Sequence, residues 1–259
     1  MHSQQGWITQ LSLLVFHPPS TIKQMSSIPA PACRRLKLVN NFHELVSTPF
    51  QNGINALCWE RTLEGDFGEI LLHARSGGEI MTLDESWLRS LPLSPAGRAA
   101  VNVMLQDQHL LREHGLSPIL DCINGYPMEQ EPGAVRTDVY SFHVDSAPEE
   151  ADTWLCTYYG PTSEGLNNEE AVRHVDIPGT RAKLLEEFGG GDTGEFLDYL
   201  SENCYDLHYA PLPHARLFPF GLGNLWRIAV DYPGSPVPPC IHRAPAKVPG
   251  APPRLLLIS

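Results

Sequence analysis

The chain has no Cys-x-x-Cys pair, no surplus of basic residues, no long apolar run and no glycine-rich phosphate-binding motif. Each absence removes a class of protein. Its six cysteines are scattered through 259 residues, whereas small secreted domains held by disulfides carry cysteine densely. The thiols are therefore expected to be reduced, which points to a cytoplasmic protein. Lysine and arginine number 18 against 30 aspartates and glutamates, a formal net charge of -12. Proteins that grip phosphates carry a basic patch, so nucleic acid is not an expected partner. The apolar run Trp7 to Phe16 is too short to span a bilayer. It also lacks the basic flank and small-residue cleavage site of a signal peptide, so no membrane partner is expected. Neither Gly-x-Gly-x-x-Gly, Gly-x-x-x-x-Gly-Lys nor Gly-x-Ser-x-Gly occurs, and there are no internal repeats or heptads.

What is present reads as a globular protein: 42% hydrophobic and 19% charged residues, with enough length to bury one large core. Residues 1–34, rich in Ser, Pro and Gln, are expected to be a flexible leader, and Met25 offers a second start. Residues 35–259 are expected to form a single domain, with an insertion at about 165–215. The fold class expected is mainly β with flanking helices. Strands are predicted over 53–59, 121–124, 153–159 and 223–230, and short helices over 60–73, 84–91 and 193–204. The clearest helix starts at Ser94-Pro95, a capping serine followed by proline at the first helical position. Val101, Met104, Leu105 and Leu111 recur through it at helical spacing.

The central stretch is Asp138-Val-Tyr-Ser-Phe-His-Val-Asp145. Read as a strand, its period of two projects His143 and Asp145 from one face and Val144 from the other. The following acidic loop, Ser146 to Asp152, is expected to close a hairpin over that face. The tail adds Pro239-Cys-Ile-His242-Arg-Ala-Pro245 and then Arg254 at the head of the apolar run Leu255 to Ile258. Two histidines and one carboxylate on one side of an ion suit a non-haem Fe(II) oxygenase site.

This order of His143-x-Asp145, distant His242 and later Arg254 resembles the Fe(II)/2-oxoglutarate-dependent dioxygenase superfamily over about the second half of the chain, including an uncharacterised microbial branch. The resemblance implies a double-stranded β-helix, a jelly-roll or cupin-like core, supported by the N-terminal helices. It implies His143, Asp145 and His242 on iron, and Arg254 in a strand neighbouring that of His242, paired to the distal carboxylate of 2-oxoglutarate. The reactants implied are O2 and a small-molecule or protein side-chain substrate. Many members carry serine two residues after this arginine, where this chain has Leu256. A second donor to the co-substrate is then expected from Tyr158 or Thr157.

Each assignment has a plainer rival. A lone His-x-Asp is usually a polar pair on a sheet face, and a lone arginine usually meets a surface acid. An arginine at the head of a buried strand calls for a buried anion, and a planar guanidinium matches a carboxylate best. Tyr158 shares its strand face with Trp154 and Cys156, so it is either a core aromatic or a co-substrate contact. Arg243 is read as structural, Lys247 as a second candidate anion anchor, and His208 and His214 as loop histidines. The rival functions are a cupin-like metal enzyme without 2-oxoglutarate and a non-catalytic binding protein on the same fold. No motif identifies the substrate or an oligomeric state.

Overall fold

The computed structural model describes residues 34–74, 79–128 and 133–259. The leader expected over 1–34 lies, apart from Arg34, outside the described residues. The chain opens with β1 (Leu36–Val39), α1 (Phe42–Ser47), β2 (Ala56–Trp59), α2 (Phe67–Leu71), β3 (Ile80–Thr82), α3 (Glu85–Ser90), α4 (Pro95–Glu113) and β4 (Ile119–Ile123). Short polar side chains start these helices: Asn41, Asp66, Asp84 and Ser94 each accept from a backbone N–H in the first turn. On α4 the helical period buries Ala100, Val101, Met104, Leu105 and Leu111. Each such apolar side chain beyond alanine contributes roughly 1.5–3 kcal/mol by leaving water.

The rest comprises β5 (Phe142–His143), β6 (Asp152–Tyr159), β7 (Glu164–Leu166), β8 (Ala171–Arg173), α5 (Pro178–Phe188), α6 (Gly194–Glu202), β9 (His208–Pro211), β10 (Leu217–Pro219), β11 (Leu225–Ala229), β12 (Ile241–Arg243) and β13 (Arg254–Ile258). Among the described residues these strands form two sheets. The seven-stranded sheet runs β1-β2-β11-β6-β13-β4-β3 and the six-stranded sheet β10-β7-β12-β5-β9-β8. The protein is thus mixed α/β with two large curled sheets, mainly β as expected.

Strand alternation divides the core. Leu57, Cys122, Trp154, Cys156, Tyr158, Leu225 and Leu257 pack with the apolar faces of α1 to α4. Ala56, Cys58, Ile123, Leu155, Trp226, Ile228 and Leu256 pack instead with Phe218, Phe220 and Cys240 of the second sheet or its flanks. On the far side of that second sheet lie Phe142, Val144, Leu166 and Ile241. The five described cysteines are free thiols, four of them buried. No helix among the described residues is long and apolar enough to cross a membrane.

Several expectations change. The stretch 138–145 is strand only at Phe142–His143, because Asp138 and Ser141 capture the local backbone: Tyr140 N donates to Asp138 Oδ1 (3.1 Å) and Ser141 Oγ to Asp138 O (2.7 Å). The hairpin expected at 146–152 is absent, since β5 and β6 belong to different sheets. That loop crosses between them, pinned by Ala147 N donating to Asp231 O. Within 165–215, the strands β8 and β9 and most of β7 are integral to the second sheet, so the part outside it is the helix pair α5 and α6. These two helices close a small core of their own around Leu184, Phe196 and Leu200. The helix expected over 60–73 is confined to α2, and β13 pairs with β4 and β6 rather than beside β12.

Candidate metal centre

The second sheet places His242 of β12 directly opposite His143 of β5. Antiparallel partners project to the same face, and the ring centroids are 4.6 Å apart. Phe142 and Ile241, one position earlier on each strand, point into the opposite core, so both imidazoles face the first sheet. Asp145 lies two residues beyond His143. Its Oδ1 is 3.9 Å from His143 Nε2 and its Oδ2 3.7 Å from His242 Nε2.

Three donor atoms, one from each residue, all lie within 4.8 Å of one another. Donors each about 2.1 Å from an ion and at right angles stand about 3 Å apart. Side-chain shifts of under about 1 Å therefore close the measured gaps onto one ion. The carboxylate is 34% exposed against 15% and 11% for the imidazoles, so the cluster is reached from solvent on the Asp145 side.

The surroundings fix the donor atoms. His143 Nδ1 is 2.9 Å from Ser141 O, and His242 Nδ1 is 3.2 Å from Cys240 O. A carbonyl only accepts, so each Nδ1 carries the proton and each Nε2 presents a lone pair. Burial, reinforced by the neighbouring His242 imidazole, lowers the His143 pKa and favours the neutral form that a metal needs. Thr153 Oγ1 donates to Asp145 Oδ2 at 2.5 Å and orients the carboxylate.

Arg254 enters from the other sheet. It is 4% exposed, and burial lowers its pKa. Its Nη1 donates to the Tyr126 hydroxyl (3.3 Å), and its Nη2 to the hydroxyls of Thr157 and Ser163 (3.1 Å each). All three partners are neutral, and the buried Nε has none. Ser163 stands two positions before Gly165, the register partner of His242. Strand geometry thus puts the Arg254 partner about 7 Å along the sheet from the row that carries the metal donors. Leu256 lies in the inter-sheet core, and Thr157 and Ser163 supply the hydroxyls beside the arginine instead.

Tyr158 does not join this group. It faces the helices, where it stacks on Phe67 at 5.5 Å and donates to Asp107 Oδ2 at 2.7 Å. Asp107 also takes both guanidinium nitrogens of Arg61, at 2.7 and 2.6 Å. Odd positions of β6 look toward the second sheet and even ones toward α4, so Thr157 meets Arg254 and Tyr158 cannot.

His208, read from sequence as a loop residue, is on β9 opposite His143. Its Nδ1 lies 2.8 Å from Ser141 Oγ, which ties it to the residue whose carbonyl holds His143. Arg243 pairs with Glu164 at 2.8 Å, the structural role expected.

No family model, curated protein or solved structure matches the chain.

Proposed function

We propose that the protein is an Fe(II)- and 2-oxoglutarate-dependent oxygenase on a double-stranded β-helix core, using O2 to oxidise a small molecule or a protein side chain. The observation that carries this reading is Arg254: a buried guanidinium with three neutral partners and an unpartnered Nε. A buried charge of this kind calls for an anion, and the missing partner is a carboxylate in the fork geometry that arginine favours. The two-histidine, one-carboxylate donor set fits Fe(II) with open positions. Two facing curled sheets with the donors between them agree with the β-helix arrangement.

When bound, Fe(II) and 2-oxoglutarate would supply the oxidising chemistry, in which O2 is reduced as the co-substrate loses CO2 to give succinate. His143 and His242 present fixed Nε2 lone pairs because backbone carbonyls hold their Nδ1 protons. Thr153 holds the Asp145 carboxylate. Arg254 would receive the distal carboxylate, with Thr157 and Ser163 keeping the guanidinium in place. Phe218, Phe220 and Trp226, all buried, exclude water from the inner side of the site.

The test is Arg254→Leu. Hydrogen bonds to a charged group are worth roughly 1.5–3 kcal/mol, so this variant should need at least about tenfold more 2-oxoglutarate with unchanged Fe(II) affinity. Equal 2-oxoglutarate binding by both proteins would favour a cupin-like metal enzyme that does not use it.

A further inference from the structure

A cavity of about 600 Å³ opens over Arg254. Its walls include Ile123, Tyr126, Met128, Tyr140 and the proline-rich segment 245–252. Among the described residues no aspartate or glutamate lines it, although the chain carries 30 acidic residues against 18 basic ones. The charged side chains that do line it are Arg254, which is buried, and Lys247, which is exposed at the rim. Neither takes part in any ion pair of the described residues. The described part of the wall is thus cationic in an acidic protein, an arrangement that draws in anions.

Its chemistry has a second half. Ile123, Met128, Val248 and the prolines make most of the wall apolar, and polar groups cluster near one point. A Cβ at Gly125 would lie 3.2 Å from Lys247 Nζ and 3.8 Å from the Tyr140 hydroxyl, so ammonium and phenol flank the same patch of backbone. Ligand pockets with this composition and roughly 300–1,000 Å³ of space enclose drug-sized molecules. A five-carbon diacid anchored at Arg254 fills only part of this cavity.

We propose that this cavity binds an organic carboxylate with an apolar body, whose carboxylate is held by Lys247 beside Tyr140. The proposal rests on the oxygenase reading, which assigns Arg254 to the co-substrate and leaves Lys247 as the cation for a second anion.

The test is calorimetric titration of the full-length, Mn(II)-loaded protein with octanoate and 3-phenylpropionate, using octanamide and 3-phenylpropanamide as neutral controls. The acids should bind about fivefold more tightly than the amides, as expected for one rim ion pair. Lys247→Met should abolish that preference, and Arg254→Leu should leave it. Equal binding of acids and amides, or a preference that survives Lys247→Met, overturns the proposal. Titration with 2-oxoglutarate in the same samples separates the two readings. Lys247-dependent binding of octanoate without any binding of 2-oxoglutarate refutes the co-substrate assignment and supports the anion site. The reverse pattern refutes the anion site alone.

Discussion

His143 and His242 are register partners on adjacent antiparallel strands, with ring centroids 4.6 Å apart. The same row continues through Gly165 to Phe218 on one side and to His208 on the other. Two of the three candidate metal donors are thus set by a hydrogen-bonded ladder, and the third by one side-chain hydrogen bond.

That row has one position that only glycine fits. A Cβ on Gly165 would lie 2.1 Å from Phe218 Cζ, and Phe218 is itself stacked against Phe220 and Trp226. Gly165→Ala should cost about 1–3 kcal/mol, the usual range for overpacking. Urea denaturation of the metal-free protein measures it, and an unchanged midpoint would mean that the ring moves aside freely.

Thr153→Val removes the hydroxyl that donates to Asp145 Oδ2 while keeping its volume. Partners of this kind typically alter metal affinity by about 10–100-fold. A chelator competition should show at least the lower figure with little change in thermal stability. Unaltered affinity would show that the carboxylate orients itself without help.

Tyr158→Phe separates the two faces of β6. The hydroxyl donates to Asp107, not to any group near Arg254, so its loss should cost about 1.5 kcal/mol of stability. The affinity for 2-oxoglutarate should stay the same. A weakened 2-oxoglutarate titration in a stable variant would restore Tyr158 to the site.

These outcomes separate what the sequence could reveal from what it could not. Period two grouped His143 with Asp145, although the strand itself ends at His143, and it set Tyr158 apart from Thr157. It could not say which face of β6 meets the helices, because residues of both faces are buried along the middle of the strand. The capping serine and regular apolar spacing made α4 legible. By contrast, α5 buries only Leu184 completely and begins without a side-chain cap, so no periodic signal marked it. Sheet membership was hidden too: a seven-residue loop such as 146–152 reads as a hairpin, whereas β5 and β6 lie in different sheets and the loop between them is bridged to Asp231. His208 was overlooked because β9 is short and ends in proline, a residue that usually marks an edge or a strand end.

The lowered His143 pKa predicts a pH dependence in the metal-free protein. Burial and the nearby His242 imidazole oppose protonation in the fold, while the unfolded chain takes up its proton near pH 6.5. Between that value and the lower folded-state pKa the unfolded chain holds more protons, so stability rises with pH across this window. As pH falls below about 6.5 stability should be lost, and His143→Asn should flatten the slope. Chemical denaturation with chelator present, between about pH 5 and 7.5, is the measurement. An equal slope in both proteins would assign the effect to other groups.

The central claim is that His143, Asp145, His242 and Arg254 together hold Fe(II) and 2-oxoglutarate. Anaerobic titration of the apo-protein with both, followed by visible spectroscopy, tests it most directly. The account predicts a metal-to-ligand charge-transfer band that needs both components, vanishes in His143→Ala and requires more 2-oxoglutarate in Arg254→Leu. A protein that binds Fe(II) at these residues but gives no such band at saturating 2-oxoglutarate would contradict it.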